Sequence, residues 1–300
     1  MTMSLIPRLL SLVLAAGLST SALAVEGDWS QVAQALGKSG SEMPGGVYRV
    51  GLPRSDLKVV LDGAEIKPAL ALGSWLAFQK IGDQAMVMGD LVLTTEEVSA
   101  VMSKLVEGGI DITALHNHLL RSSPATLYMH VRGHGDPVKL AITLHSALAE
   151  SKTPFQGAAY GGAQPTAAQI ELDTAAIDQA LGAKGVINGG VYQFNIPRAE
   201  AITDDGMAVP VSMGTAIAIN FQPTRGGKAA VTGDFVLVAK EVNPVLKELL
   251  GHDIEMTALH SHMLDDQPRL FFMHFWANDD AQKLANGLRA ALDKVAIKKG

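Results

Sequence analysis

Ile110 to His130 reads IDITALHNHLLRSSPATLYMH, and Ile254 to His274 reads IEMTALHSHMLDDQPRLFFMH. The two stretches are 144 residues apart (116 to 260), and His116, His118 and His130 fall on His260, His262 and His274 without a gap. The same offset carries Gly45-Gly46-Val47-Tyr48 onto Gly189-Gly190-Val191-Tyr192, and Pro53-Arg54 onto Pro197-Arg198. A chain that repeats itself once over such a length folds as two copies of one unit. Each copy is long enough for its own core, which separates it from a solenoid of short repeats.

Within each copy the periodicities alternate. Trp29 to Leu36 has helical spacing and stops at Gly37; its counterpart Ile177 to Leu181 stops at Gly182. Strand-like runs come next at Lys58 to Leu61, Ala71 to Gln79 and Gln84 to Leu93, then at Met207 to Val211, Thr215 to Phe221 and Ala229 to Val238. Thr94 to Val106 reads as an amphipathic helix, N-capped by Thr94 or Thr95 and stopped by Gly108-Gly109. Asp136 and Asp280 sit at the N-cap position of closing helices that run to Leu148 and Leu292. The expected fold is α+β: two homologous domains, each with an antiparallel sheet and flanking helices. The expected boundaries are a first domain over 25–150, a Gly/Pro/Ala/Gln-rich linker over 151–171 and a second domain over 172–300.

The start of the chain reads as an address. Arg8 ends a short n-region, Leu9 to Leu18 are apolar, and Ala22-Leu23-Ala24 forms a small-x-small cleavage site. Residues 1–24 are therefore expected to be a signal peptide, and the mature chain to be periplasmic or secreted. The chain has no cysteine, which excludes disulfides, thiolate ligands and a lipidated cysteine anchor. A net charge of −6 gives no basic footprint for nucleic acid.

Six of the nine histidines belong to the repeated set. Residues of like parity share a strand face, so His116 and His118 continue the apolar face of Ile110, Ile112 and Ala114, with Thr113 and Leu115 on the other face. A turn at Arg121 to Ala125 brings His130 back opposite His116, with Tyr128 and Arg132 beside it. Imidazole suits Zn and Cu, and three imidazoles leave an open coordination position. His116, His118 and His130, and again His260, His262 and His274, are the expected ligands. Asp90 and Asp234, repeated in Gly-Asp pairs, are candidates to orient them, with Tyr128 and Arg132 as possible lining. A polar cluster that only pins the hairpin by hydrogen bonds is the plainer alternative. Glu97 and Glu241 lie in a first helical turn, where the helix dipole accounts for them. Methionines beside the histidines invite a copper reading, Met129 and Met273 before the third histidine of each copy and Met263 after His262, but Met129 and Met273 point away by parity and read as core.

The block Gly-Asp-x-Val-Leu, Thr-Ala-Leu-His-x-His and Met-His, found twice, resembles the LppY/LpqO-like family of exported bacterial proteins. The resemblance implies export and a duplicated domain, and supplies no reaction. The residues suit three functions: a transition-metal-binding protein (Zn or Cu); a metal-dependent hydrolase or lyase using a metal-bound water; and a metal-free module for an envelope ligand or partner. Whether the chain is an enzyme is left open. Its partners are expected to be a metal ion or small molecule, with no nucleic acid and no stable membrane anchor.

Overall fold

The computed structural model describes residues 28–156 and 170–298. The expected signal peptide, residues 1–24, and most of the expected linker lie outside the described residues. Among those described, no helix is long and apolar enough to cross a membrane.

The first repeat runs α1 (Ser30–Leu36), β1 (Ser41–Met43), β2 (Val47–Pro53), β3 (Val59–Leu61), β4 (Ala64–Ile66), α2 (Pro68–Ala71), β5 (Gly73–Ile81), β6 (Gln84–Thr94), α3 (Val98–Glu107), β7 (Asp111–His116), β8 (Thr126–Gly135) and α4 (Pro137–Leu148). The second runs α5 (Thr174–Leu181), β9 (Val186–Asn188), β10 (Val191–Pro197), β11 (Thr203–Asp204), β12 (Met207–Ala208), β13 (Ala216–Pro223), β14 (Lys228–Val238), α6 (Ala239–Gly251), β15 (Glu255–His260), β16 (Asp266–Gln267), β17 (Leu270–Asp280) and α7 (Ala281–Leu292). The main sheets have orders β1-β2-β5-β6-β8-β7 and β9-β10-β13-β14-β17-β15, antiparallel throughout. The α+β duplication is as the sequence leads one to expect.

Asp136 caps α4 by accepting from the Lys139 N–H at 2.8 Å, and Asp280 caps α7 from Lys283 at 2.8 Å. The Thr94 cap is different. Strand β6 continues through Thr94, whose N–H donates to the Glu97 carboxylate at 2.9 Å, and the helix starts only at Val98. The run at Ala71 likewise splits: Ala71 ends the short helix α2, which Pro68 opens, and the strand begins at Gly73.

Each sheet is covered on both faces, so β6 is buried almost end to end. One face packs on helices: Val87, Leu91, Leu93, Met129 and Val131 meet Val101, Leu105, Leu140 and Leu144. A fully buried leucine of this kind contributes about 2 kcal/mol. The other face of the sheet turns to the opposite repeat. Helix α2 lies against β13 and β14, and the 3-10 turn Val211–Met213 lies against β2 and β5. Tyr128, Val92 and Leu119 share an apolar cluster with Val191, Ala230 and Trp276. Hydrogen bonds cross as well: Arg49 Nη1 to Ser212 O at 2.7 Å, Gln193 Nε2 to Ala69 O at 2.7 Å, and Gln222 Nε2 to Glu65 O at 2.7 Å. The two repeats thus sit face to face, and the edge strands β7 and β15 touch.

A duplicated buried network supports each sheet. Arg54 donates to Glu97 Oε2 at 2.7 Å and to Val92 O at 2.8 Å; Arg198 donates to Glu241 Oε2 at 2.6 Å and Val236 O at 2.7 Å. Glu97 also accepts from the Lys152 N–H and Glu241 from the Ala296 N–H. Both glutamates are structural, and the repeated Pro-Arg pairs explain themselves here.

Candidate metal centre

Thr113 is an extra residue on β7: Ile112 pairs with Val131, and Ala114 already pairs with His130. The second repeat has the same bulge at Thr257, between Met256 and Ala258. A bulge breaks strict alternation and re-aims the side chains beyond it. Thr113 is buried where parity placed it outside, and His116 lies opposite Tyr128, not opposite His130. The hairpin still delivers all three imidazoles to one side.

That side is the face shared with the other repeat. The sequence suggests two separate pockets; the structure brings the six imidazoles into one cluster. His116 and His260 stack with centroids 3.5 Å apart. His118 lies 3.7 Å from His274, and His130 lies 3.7 Å from His262. These pairings repeat under exchange of the two halves, so the centre has an approximate twofold. The reason is the packing of the sheets, which no local pattern in either repeat specifies.

Outer residues complete the walls. Tyr128 stacks on His118 at 3.5 Å and its hydroxyl donates to Ala71 O at 2.8 Å, so it is a platform. Phe272 does the same for His262 at 3.4 Å. Asp90 pairs across the ladder with His130, and its carboxylate lies 3.8 Å from His118 Nε2 and 4.0 Å from His130 Nε2. Asp234 lies 3.4 Å from His262 Nε2 and 3.7 Å from His274 Nδ1. Arg132 is not at the histidines: it reaches across to Asp204 at 2.6 Å and Asp205 at 3.3 Å. It ties the repeats together. Glycine at 233 allows close approach of β13, and its carbonyl accepts from His274 Nδ1 at 2.9 Å.

Burial, then the neighbouring imidazoles, pushes the His118 and His262 rings far below the usual imidazole range. His116 and His130 are lowered by the same causes. Burial takes His260 to about 4, and burial with His260 takes His274 to about 3. These shifts all favour the neutral imidazole, the form that binds a metal. Burial lifts the Asp90 carboxyl to about 7 against the pull of Arg49, and burial with the Asp90 charge holds Asp234 well above the carboxylate range.

The donors fit a metal ion. Among the described residues, His116 Nδ1, His118 Nε2, His130 Nε2, His260 Nε2 and His262 Nε2 are buried without a hydrogen-bond partner, as are one oxygen each of Asp90 and Asp234. They fall into four overlapping triads whose ligand atoms lie within 4.8 Å of one another: His116-His118-His130, His116-His260-His274, His130-His260-His262 and Asp234-His262-His274. The first is the set expected from the sequence. The second repeat's histidines form triads with His116, His130 or Asp234. His116 Nε2 and His274 Nε2 are 3.2 Å apart; two nitrogens on one tetrahedral ion stand roughly 3.3 Å apart.

The residues that sequence reasoning missed come from both repeats, Trp75 and Met88 from the first and Met213 from the second. Trp75, Met88, Met213 and Met263 close a small cavity against His130 and His262. Only Met263, next to His262, carried a signal in the sequence.

No curated protein matches the chain. Two solved structures align over most of it: the trimeric bacterial microcompartment shell protein PduB (10% identity, 86% of this chain and 91% of that one, TM-score 0.22) and EtuB from Clostridium kluyveri (10% identity, 85% and 91%, TM-score 0.19). TM-scores this low carry no argument. The family described as Domain of Unknown Function (DUF1259) matches twice, at residues 30–150 and 175–294, and the chain belongs to that family as an internal duplication of its domain.

Proposed function

We propose that the chain is a transition-metal-binding protein whose centre, for Zn²⁺ or Cu²⁺, is shared by the two repeats. One observation carries this reading: five ring nitrogens and two carboxylate oxygens are buried at one place without hydrogen-bond partners. Each such group costs about 1–3 kcal/mol if left unmet. A polar cluster that served only to pin the hairpin would satisfy them. Neutral imidazoles are ready ligands, and two buried carboxylates supply charge to balance a divalent ion. His116, His130, His260, His262 and His274 each belong to two of the four triads, so up to two ions would draw on shared imidazoles.

The metal-dependent hydrolase or lyase reading is favoured by Asp90. A carboxyl lifted to about 7 beside His118 and His130 is suited to exchanging a proton at neutral pH. The metal would supply Lewis acidity; Asp90 would hold or release the proton at its Oδ atoms. We further propose that the chain is exported, on Arg8, Leu9 to Leu18 and Ala22-Leu23-Ala24, to the periplasm or beyond. The resemblance of the repeated block to LppY/LpqO-like exported proteins supports that reading. Elemental analysis of the protein purified from its native compartment tests the metal, and intact mass tests the loss of residues 1–24. A protein with no bound first-row metal, and none taken up on titration, overturns the reading.

A further inference from the structure

The approximate twofold of the centre is broken in one respect, and the break concerns sulfur. Next to the His130–His262 pair lies a cavity of about 10 Å³, room for one water-sized occupant. Its walls include Met88, Met213 and Met263, exposed by 5%, 2% and 1%. The equivalent places beside the His118–His274 pair are fixed by the sheet registers. Met88 pairs with Ala77 and Thr232 with Asn220, while Trp75 faces Asp90 as Ala218 faces Asp234, so Thr232 stands where Met88 does. The 144-residue offset puts Leu119 at the place of Met263. Trp75 and Ala218 are 143 residues apart, and that offset puts Leu70 at the place of Met213. By this correspondence Met88, Met213 and Met263, which line the cavity on one side, are matched by Thr232, Leu70 and Leu119 on the other.

Thioether sulfur is a soft ligand and selects monovalent copper over Zn²⁺, whereas imidazole serves both. His130 and His262 line this cavity, and the Nε2 of each is buried without a hydrogen-bond partner among the described residues. Met129 and Met273 directly precede His130 and His274 on β8 and β17, so they sit, buried, on the other faces of those strands and take no part. We propose that the His130–His262 side is a Cu(I) site, with the two imidazoles and one or more of the sulfurs of Met88, Met213 and Met263 as ligands. The proposal rests on the metal-binding reading above and narrows the ion at one end of the centre.

X-ray absorption at the copper edge, on the full chain loaded anaerobically with one equivalent of Cu(I), is the test. The expected spectrum has sulfur as well as nitrogen in the first shell. The variant Met88→Thr/Met213→Leu/Met263→Leu, which copies the other side, is expected to lose the sulfur signal. It should also bind Cu(I) at least tenfold more weakly in competition with a chromophoric Cu(I) chelator. Met273→Leu, a change in the core, serves as the control and should leave both unchanged. Should the triple variant fail to fold, the wild-type spectrum decides alone. A nitrogen-only shell in wild type, with Zn²⁺ still bound on separate titration, overturns the Cu(I) site and leaves the metal reading standing. Failure to bind either ion overturns both.

Discussion

His116 and His260, the same position in each copy of the repeat, lie ring on ring at 3.5 Å with an interplanar angle of 25°. Equivalent residues that meet each other mark a twofold relation, and here it runs through the middle of the imidazole cluster. Duplication has therefore made one centre from two hairpins. Neither repeat holds the whole set of candidate ligands.

The first consequence concerns His260, which belongs to two of the four ligand triads, each completed by a first-repeat histidine. His260→Ala should weaken Zn²⁺ binding throughout the centre by at least tenfold, equivalent to about 1.4 kcal/mol. Two independent pockets would behave otherwise, with half the sites keeping wild-type affinity. Competition titration against a zinc chelator separates the two outcomes.

Gly233 tests the strand geometry beneath the site. A methyl group there would fall far inside the van der Waals contact distance to the Ala218 carbonyl oxygen, while at Gly89 it would stand 2.7 Å from Trp75 O. Both contacts are with backbone, which yields only if the ladder shifts. Gly233→Ala should destabilise the protein by about 3 kcal/mol and displace the carbonyl that orients His274. Urea unfolding measures the first effect; an unchanged midpoint would refute it.

Arg54 is fully buried and its guanidinium is shared among Asp56, Glu97 and the Val92 carbonyl. Removing one partner of a buried pair strands the other, at a cost of about 3–5 kcal/mol. Arg54→Ala and Arg198→Ala should each show it in chemical denaturation. Since the network holds the sheet from the helix side, metal affinity should change far less than stability in any variant that folds.

Acid should unfold the metal-free protein through the cluster. The imidazoles are lowered in the folded state and ordinary, near 6.5, in the unfolded chain, so below that pH the unfolded state takes up more protons. Stability is lost as pH falls from 6.5, the His260 contribution levelling off at about 4 and that of His274 at about 3. Asp90 works in the opposite sense between about 7 and 3.8, since its carboxyl is raised on folding. Six imidazoles outweigh two carboxylates. The unfolding midpoint should fall steeply between pH 6.5 and 4, and less steeply in His116→Ala/His118→Ala; equal slopes would contradict this.

Much of the fold is legible in the sequence, and the reasons are local. Asp136 and Asp280 announce their helices because an N-cap is a contact within one turn. The repeat offset locates the candidate ligands, and strand parity correctly sends Met129 and Met273 to the core. Parity fails at Thr113 and Thr257, where an inserted residue shifts the register against a partner strand. It is silent on the meeting of His118 with His274 and of His130 with His262, which depends on how two sheets pack. It places Arg132 on the face of His130, as observed, but not its partner, Asp204, which lies 72 residues away in the other copy.

The shared metal centre is tested most directly by calorimetric titration of the metal-free chain with Zn²⁺ and Cu²⁺ at about pH 7.5, where the imidazoles are neutral. Saturable binding of up to two ions per chain is expected in wild type. His116→Ala/His118→Ala should lose more than half of that capacity, because His116 also serves a triad completed by His260 and His274. Retention of half the sites at wild-type affinity would mean separate pockets, and no saturable binding of either ion would contradict the metal centre itself.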